Sequence, residues 1–408
     1  MYLITTLRLI SMIIKKYNKV AVALFIIFVF TFPLISNAED INSPAKHLKS
    51  FYSNESERVI MFKKPIPEST PFDIVILHIC SLSWDDFKEV GITQEDPFIK
   101  QFDYLFTDFN TASGYSGPAV IRLLNGNCGQ KPLQKILPEK DNICLLMDSL
   151  TSVGYETYIS LNHDGKYGDF IDNINKNVLS NKIMLLPDNL TATATFFDGK
   201  TPLYSDFAML EKWFKDSKAS NSKMKAFYYN TATLHAGSRW IGEKRVDSDT
   251  HNQYKVVLSV LLKDIKKFIE LLKSSKRNTV LIFVPEHGRA LTGSAFQIAD
   301  LRDIPLPKIT KVPVGVKFFG PKFNDVKGKQ YIISKPASYL AISWMLSKFI
   351  ENSPFGNTAE TPDDIISKIP MTELVSDHEG RVIMEMDGSY LFYGKDRKWI
   401  TLMPDQLK

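Results

Sequence analysis

The residues with most chemistry to offer are Glu286 and His287, in the segment Pro285-Glu286-His287-Gly288 that follows the apolar run 280–284. A carboxylate beside an imidazole suits a divalent metal of the zinc type, the alternative being an ion-paired strand end with no chemistry. Neighbours on a regular strand point to opposite faces, so the two can share one ligand only where the pleat breaks. Pro285 and Gly288 supply that break. Ser116 lies in Ala112-Ser113-Gly114-Tyr115-Ser116-Gly117-Pro118, just ahead of an apolar helix that runs through Leu124. Free backbone N–H groups at such a helix start stabilise a phosphate or a developing oxyanion, which makes Ser116 a candidate nucleophile. The alternative is that Ser113 and Ser116 merely cap the helix. Cys80 ends the apolar segment 73–79, and Ser83, Asp85 and Asp86 open a helix just after it. A nearby helix N-terminus favours the thiolate, and an unpaired thiol there is either deeply buried or holding something.

These groups sit where strands end. Segments 73–79 and 280–284 read as parallel strands covered on both faces, and 312–319 as another buried strand. Segments 106–111, 155–161 and 225–231 read as further strands, the last two running into His163 and His235. His163 has no partner that sequence can name and is read as a loop residue. Periodic segments 206–218, 254–274 and 336–350 predict helices, and short alternating pieces from 381 to 402 predict two or three antiparallel strands. Strands alternating with helices imply an α/β fold with a doubly wound, mainly parallel sheet, closed by a small antiparallel C-terminal extension.

With 408 residues, 44% hydrophobic and 23% charged, the chain has material for one large domain or two modest ones. Its net charge of +5 is scattered, which favours weak attraction to an anionic membrane surface and argues against nucleic-acid binding. Lys15, Lys16 and Lys19 precede an uncharged run, 20–35, and then Ser36 and Ala38. Residues 1–38 therefore read as a cleaved export signal or a retained inner-membrane anchor, and 39–70 as a linker. Export to an oxidising compartment lets two of the three cysteines pair. Cys128 and Cys144, with fifteen residues between them, are the expected couple, leaving Cys80 over.

Taken together, Ile79-Cys80-Ser81-Leu82-Ser83-Trp84, Tyr115-Ser116-Gly117-Pro118, Pro285-Glu286-His287-Gly288, Leu301-Arg302-Asp303-Ile304-Pro305 and Val312-Pro313-Val314-Gly315-Val316-Lys317-Phe318-Phe319-Gly320 resemble the catalytic domain of bacterial cellulose phosphoethanolamine transferases, the BcsG family. The resemblance runs in order from about residue 73 to near the C-terminus, so that 71–408 is expected to form one domain of the alkaline phosphatase superfamily. It implies one zinc ion, Zn2+, held by Cys80, Glu286, His287 and the Ser116 hydroxyl. It also implies a disulfide between Cys128 and Cys144, with Tyr115, His235 and Arg302 around the phosphoryl group. Arg302 would grip two phosphate oxygens, and His235 would steady the transferring group or protonate a leaving oxygen. The implied reaction moves phosphoethanolamine from phosphatidylethanolamine through a covalent Ser116 intermediate to a glycan hydroxyl, that of cellulose glucose in the resembled family. The implied setting is the periplasm, beside a cellulose secretion machinery.

Those transferases usually carry several membrane helices ahead of the soluble domain, and this sequence shows at most one apolar segment. A separate membrane partner or docking through basic residues would then present the lipid. Two other readings stand beside this one. A phosphodiesterase with the same nucleophile would use water in place of the sugar. A non-catalytic subunit of a polysaccharide secretion complex would show a damaged metal set, whereas here all four residues are present.

Overall fold

The computed structural model describes residues 43–65, 69–136, 141–179, 182–241, 250–323, 329–357 and 359–407, so the expected export signal lies outside the described residues. The chain divides into two compact units, 1–47 and 48–408, and the second carries the sheets. In chain order its strands are β1 (Asp73–Ile79), β2 (Tyr104–Asn110), β3 (Glu156–Leu161), β4 (Lys182–Leu185), β5 (Ala192–Thr195), β6 (Pro202–Tyr204), β7 (Lys225–Thr231), β8 (Arg239–Trp240), β9 (Thr279–Pro285), β10 (Lys311–Phe319) and β11 (Tyr331–Ile333), then β12 (Val375–His378), β13 (Arg381–Met386), β14 (Ser389–Tyr393) and β15 (Trp399–Leu402). The helices that matter below are α1 (Pro44–Ser56), α2 (Trp84–Glu89), α3 (Ser116–Leu124), α4 (Leu146–Ser152), α5 (Phe170–Asn177), α6 (Asp206–Asp216), α7 (Thr250–Ser275) and α8 (Tyr339–Glu351).

Among the described residues the central sheet runs β11-β2-β10-β9-β1-β7-β3-β4. Only β10 is antiparallel to its neighbours, β2 and β9. Every residue of β1, β7 and β9 is buried, which is why each carries a run of apolar or aromatic residues, 74–77, 226–229 and 280–284. The pleat then splits β1 between two cores. Ile74 and Ile76 face one core with α3, α4, α5 and α8, whereas Val75, Leu77 and Ile79 face another with α6 and α7. On α7 the buried positions Tyr254, Val257, Leu258, Leu261, Ile265, Phe268, Ile269 and Leu272 follow helical spacing and lie over that second face.

The parallel strands β1, β7, β9 and β3 all end at one edge, and the antiparallel β10 leaves β2 running toward that same edge. The expected mainly parallel, doubly wound sheet is therefore present. Residues 381–402 hold three antiparallel strands, β13 to β15, as expected, and β12 joins them as a fourth from just ahead of that stretch. Two features were not foreseen. Part of the stretch expected as a linker forms α1, whose Phe51 packs against Val375, Val382 and Met384 of the C-terminal sheet. A small sheet, β6-β5-β8, stands apart from the main one.

Candidate active site

Strand register brings the first three groups together. Ile79 pairs with Pro285 and with Thr231, so the chain leaves β1 and β9 side by side into Cys80 and Glu286. Ladder-like bonds continue past the strand ends: Glu286 N–H donates to the Ile79 carbonyl (2.8 Å), and Leu82 N–H to the His287 carbonyl (2.6 Å). Ligand atoms of Cys80, Glu286 and His287 all lie within 4.8 Å of one another, and all three residues are buried. Ser116, first residue of α3, joins them, its Oγ lying 3.3 Å from Cys80 Sγ and 3.2 Å from His287 Nε2.

The reason for Gly288 differs from the one expected. Its backbone is not in the left-handed region. A Cβ there would lie 2.6 Å from Ser83 Oγ, so glycine serves close packing against the start of α2. Gly114 does the same for the nucleophile loop, where a Cβ would lie 2.6 Å from the Arg302 carbonyl oxygen. Backbone strain also gathers at this edge: Ser81, Ala112 and Ala290, each just beyond a site segment, hold φ of 59°, 56° and 58°.

His287 Nδ1–H donates to the Gly288 carbonyl at 2.8 Å, which leaves Nε2 as a lone pair facing the Ser116 hydroxyl. Burial, then Arg302, holds this imidazole well below its usual pKa. Burial pushes Glu286 up to about 7, and among the described residues its Oε2 has no hydrogen-bond partner. Burial and then the Glu286 carboxylate push the Cys80 thiol up to about 12. The expectation that a helix N-terminus favours this thiolate is not met. The N–H groups opening α2 are turned inward by a capping box, in which Ser83 Oγ accepts from Asp86 N–H (3.2 Å) and Asp86 Oδ2 from Ser83 N–H (2.8 Å). An unpartnered carboxylate oxygen, a bare imidazole nitrogen and a buried thiol fit zinc, whose charge would reverse the burial penalty on each.

Tyr115, His235 and Arg302 are placed by loops. Arg302 is buried, its Nε–H donating to the Gly114 carbonyl (2.9 Å) and Nη1 to the Asp300 carbonyl (3.2 Å). Nη2 is the nitrogen left for a ligand among the described residues, so the expected two-oxygen grip is narrowed. The Arg302 guanidinium lies 5.0 Å from the Tyr115 ring centroid, and Tyr115 donates its hydroxyl to Asp303 (2.7 Å). His235 Nδ1–H donates to the Ala236 carbonyl (2.9 Å). Burial, then Arg302 and Arg289, lowers His235 to about 4, so at neutral pH the resting imidazole is neutral and its Nε2 can accept a proton.

Sequence reasoning missed several supports. Asn230, on β7, donates to Glu286 Oε1, and His78, on β1, sits 4.0 Å from the same oxygen. The available signal was a polar side chain near the end of an otherwise buried parallel strand. His163 lies in the loop after β3, as expected, and is buried there against Phe170 and hydrogen-bonded to the Asn230 side chain. His378, from β12, stacks on Tyr115 with centroids 4.7 Å apart, and no sequence pattern announces it. Cys128 and Cys144 form the expected disulfide, away from Cys80, which is free and buried.

Residues 34–399 match the family described as Cellulose biosynthesis protein BcsG C-terminal domain. Cellulose biosynthesis protein BcsG of Salmonella typhimurium is 34% identical over 342 residues, covering 84% of this chain, which spans 60% of that relative's length. A protein of the alkaline phosphatase superfamily from Vibrio parahaemolyticus shares the fold, with TM-score 0.58 and 13% identity, over 89% of this chain and 92% of that one. The C-terminal periplasmic domain of EptC from Escherichia coli, solved in complex with Zn, gives TM-score 0.54 and 13% identity over 86% of this chain and 98% of that one. The fold is thus that of the alkaline phosphatase superfamily, and the chain belongs to the BcsG C-terminal domain family.

Proposed function

We propose that this protein is a zinc-dependent phosphoethanolamine transferase of the periplasm. In this reading it takes the group from phosphatidylethanolamine and delivers it to a glycan hydroxyl, that of cellulose glucose. The supporting observation is the meeting of Cys80, Ser116, Glu286 and His287 at one strand edge. Family membership supports the glycan, and likeness of fold to the lipooligosaccharide phosphoethanolamine transferase EptA of Neisseria meningitidis (TM-score 0.50, 13% identity) supports the transferred group. Cys80, Glu286, His287 and Ser116 would hold the zinc, which would supply positive charge that lowers the hydroxyl's pKa and offsets charge on the phosphoryl oxygens.

In the first step the Ser116 hydroxyl gives up its proton as Oγ attacks phosphorus, the bond from phosphorus to the diacylglycerol oxygen breaks, and that oxygen leaves carrying the proton Ser116 released. Backbone N–H groups of Ser116 and Gly117 open α3 and face the developing charge, while Arg302 Nη2 takes a phosphoryl oxygen. In the second step the acceptor hydroxyl attacks, its proton passes to His235 Nε2, the bond from phosphorus to Oγ breaks, and the proton returns to Ser116. Among the described residues no helix is long and apolar enough to cross a membrane. We propose that the N-terminal segment, or a membrane partner in the cellulose secretion machinery, brings the lipid to this site.

The test is to incubate the purified full chain with phosphatidylethanolamine in mixed micelles, digest it, and weigh the peptides. A phosphoethanolamine ester on Ser116 is expected. An adduct on another residue, or none from zinc-loaded protein, overturns the reading.

A further inference from the structure

The most exposed aromatic surface beside the site is not used by the chemistry above. Tyr167, Phe196, Phe197 and His235 form a cluster in which every pair of ring centroids is 4.5 to 6.0 Å apart. Phe196 is buried at its base, whereas Tyr167 and Phe197 are 55% and 40% exposed. The rings come from three places: the turn after β3, the tip between β5 and β6, and the loop after β7. A Cβ at Gly237 would lie 2.9 Å from Phe197 Cβ, and that glycine holds φ of 77°, so the His235 loop is cut to seat the Phe197 ring. The tip is fixed: Asp198 accepts from the N–H groups of Lys200 and Thr201, both at 2.9 Å, and Phe196 N–H donates to the Thr201 carbonyl at 2.8 Å. Two large rings held rigidly toward solvent sacrifice burial that packing alone would have taken.

We infer that Tyr167 and Phe197 form the acceptor subsite, seating a pyranose ring of a neutral glycan so that its hydroxyl reaches His235. This rests on the transferase reading, since His235 supplies the link between the rings and the phosphoryl group. Ring faces carry negative quadrupole charge, and the C–H face of a pyranose presents the matching weakly positive hydrogens. In the segments that carry the rings, Asp164, Asp169 and Asp198 alternate with Lys166, Lys200 and Arg239, and the charges of Arg302 and Arg289 reach His235. Charged groups of both signs interleaved in this way offer donors and acceptors to sugar hydroxyls. The exposed rings meet nearly edge to face, at 83°, forming a corner that suits a sugar ring better than an acyl chain, which calls for a continuous aliphatic groove.

Cellohexaose is the probe, with the full chain carrying Tyr167→Ala, Phe197→Leu or Phe197→Trp. Isothermal titration should show cellohexaose affinity falling at least tenfold in Tyr167→Ala and Phe197→Leu, and retained in Phe197→Trp, which keeps a stacking face. With phosphatidylethanolamine as donor, the loss should appear as a raised KM for cellohexaose, with kcat changed far less. Equal affinity in wild type and both ring-removing variants overturns the inference, as does no measurable affinity in wild type. So does a loss confined to sedimentation with phosphatidylethanolamine vesicles, which would assign the rings to the membrane. Should wild type make no Ser116 adduct, the transferase reading fails, and the titration still decides whether the rings bind glycan.

Discussion

The site has two halves built by different means. Cys80, Glu286 and His287 are set by strand register: Ile79 pairs with Pro285, and the ladder bonds continue into the turn. Tyr115, His235 and Arg302 are set by individual contacts from distant segments: Asp303 and His378 on Tyr115, aromatic rings on His235, and the Gly114 backbone carbonyl on Arg302. Register is collective, since no single side chain holds it. The loop-borne half can be loosened one contact at a time. Damage to the strand-borne half should therefore abolish metal and turnover together, whereas damage to the loop-borne half should lower turnover with the metal kept.

The largest effect is expected from Cys80→Ala. Zinc content should fall toward zero and transfer by roughly three orders of magnitude, the several kcal/mol that a metal supplies, while the far-ultraviolet circular dichroism stays as in wild type. Normal zinc in this variant would remove Cys80 from the ligand set. Arg302→Lys keeps the charge and loses the fixed fork. Its kcat/KM should drop roughly a hundredfold with zinc unchanged, as elemental analysis and steady-state kinetics would show. A drop in zinc alongside activity would merge the two halves.

His378→Ala removes the ring that stacks on Tyr115, so transfer should fall about tenfold, at unchanged zinc, with Phe in place of His restoring most of it. Failure of the Phe variant to restore transfer would mean that His378 acts through its polarity. The smallest effect concerns Asp206, which accepts from Tyr229 OH (2.7 Å) and Thr233 Oγ1 (2.6 Å) and so braces the loop that carries His235. Burial pushes Asp206 up to about 6. An acid raised on folding favours the protonated form, so its contribution is whole below about pH 4 and is lost as pH rises through 6. Denaturant melts of wild type should weaken relative to Asp206→Asn over that window, by about 3 kcal/mol at most. Parallel pH curves would contradict the assignment.

The same division explains what was legible in the sequence. Strands buried on both faces announce themselves as apolar runs, so β1 and β9 and the residues just beyond them, Cys80, Glu286 and His287, could be placed in advance, whereas His78 and Asn230, polar residues inside buried strands, gave no such signal. The strands β5, β6 and β8 have four, three and two residues, too few to show a period, and the aromatic tip between β5 and β6 stayed hidden with them. The helix α1 buries only Phe51 and Glu55 and so has no stripe to read. Its anchor is a sheet more than 300 residues further along the chain, and the approach of His378 to Tyr115 is set by that same sheet. The Cys80 thiolate was misjudged because a nearby helix start is visible in sequence, while the capping box that turns its N–H groups inward depends on folded geometry.

The central claim is one metal ion held by groups from β1, α3 and β9. X-ray absorption at the zinc edge of the purified full chain tests it most directly. The account predicts a four-coordinate site with one sulfur at about 2.3 Å and three nitrogen or oxygen ligands at about 2.0–2.2 Å, the sulfur vanishing in Cys80→Ala. A site without sulfur, or with two, would contradict it.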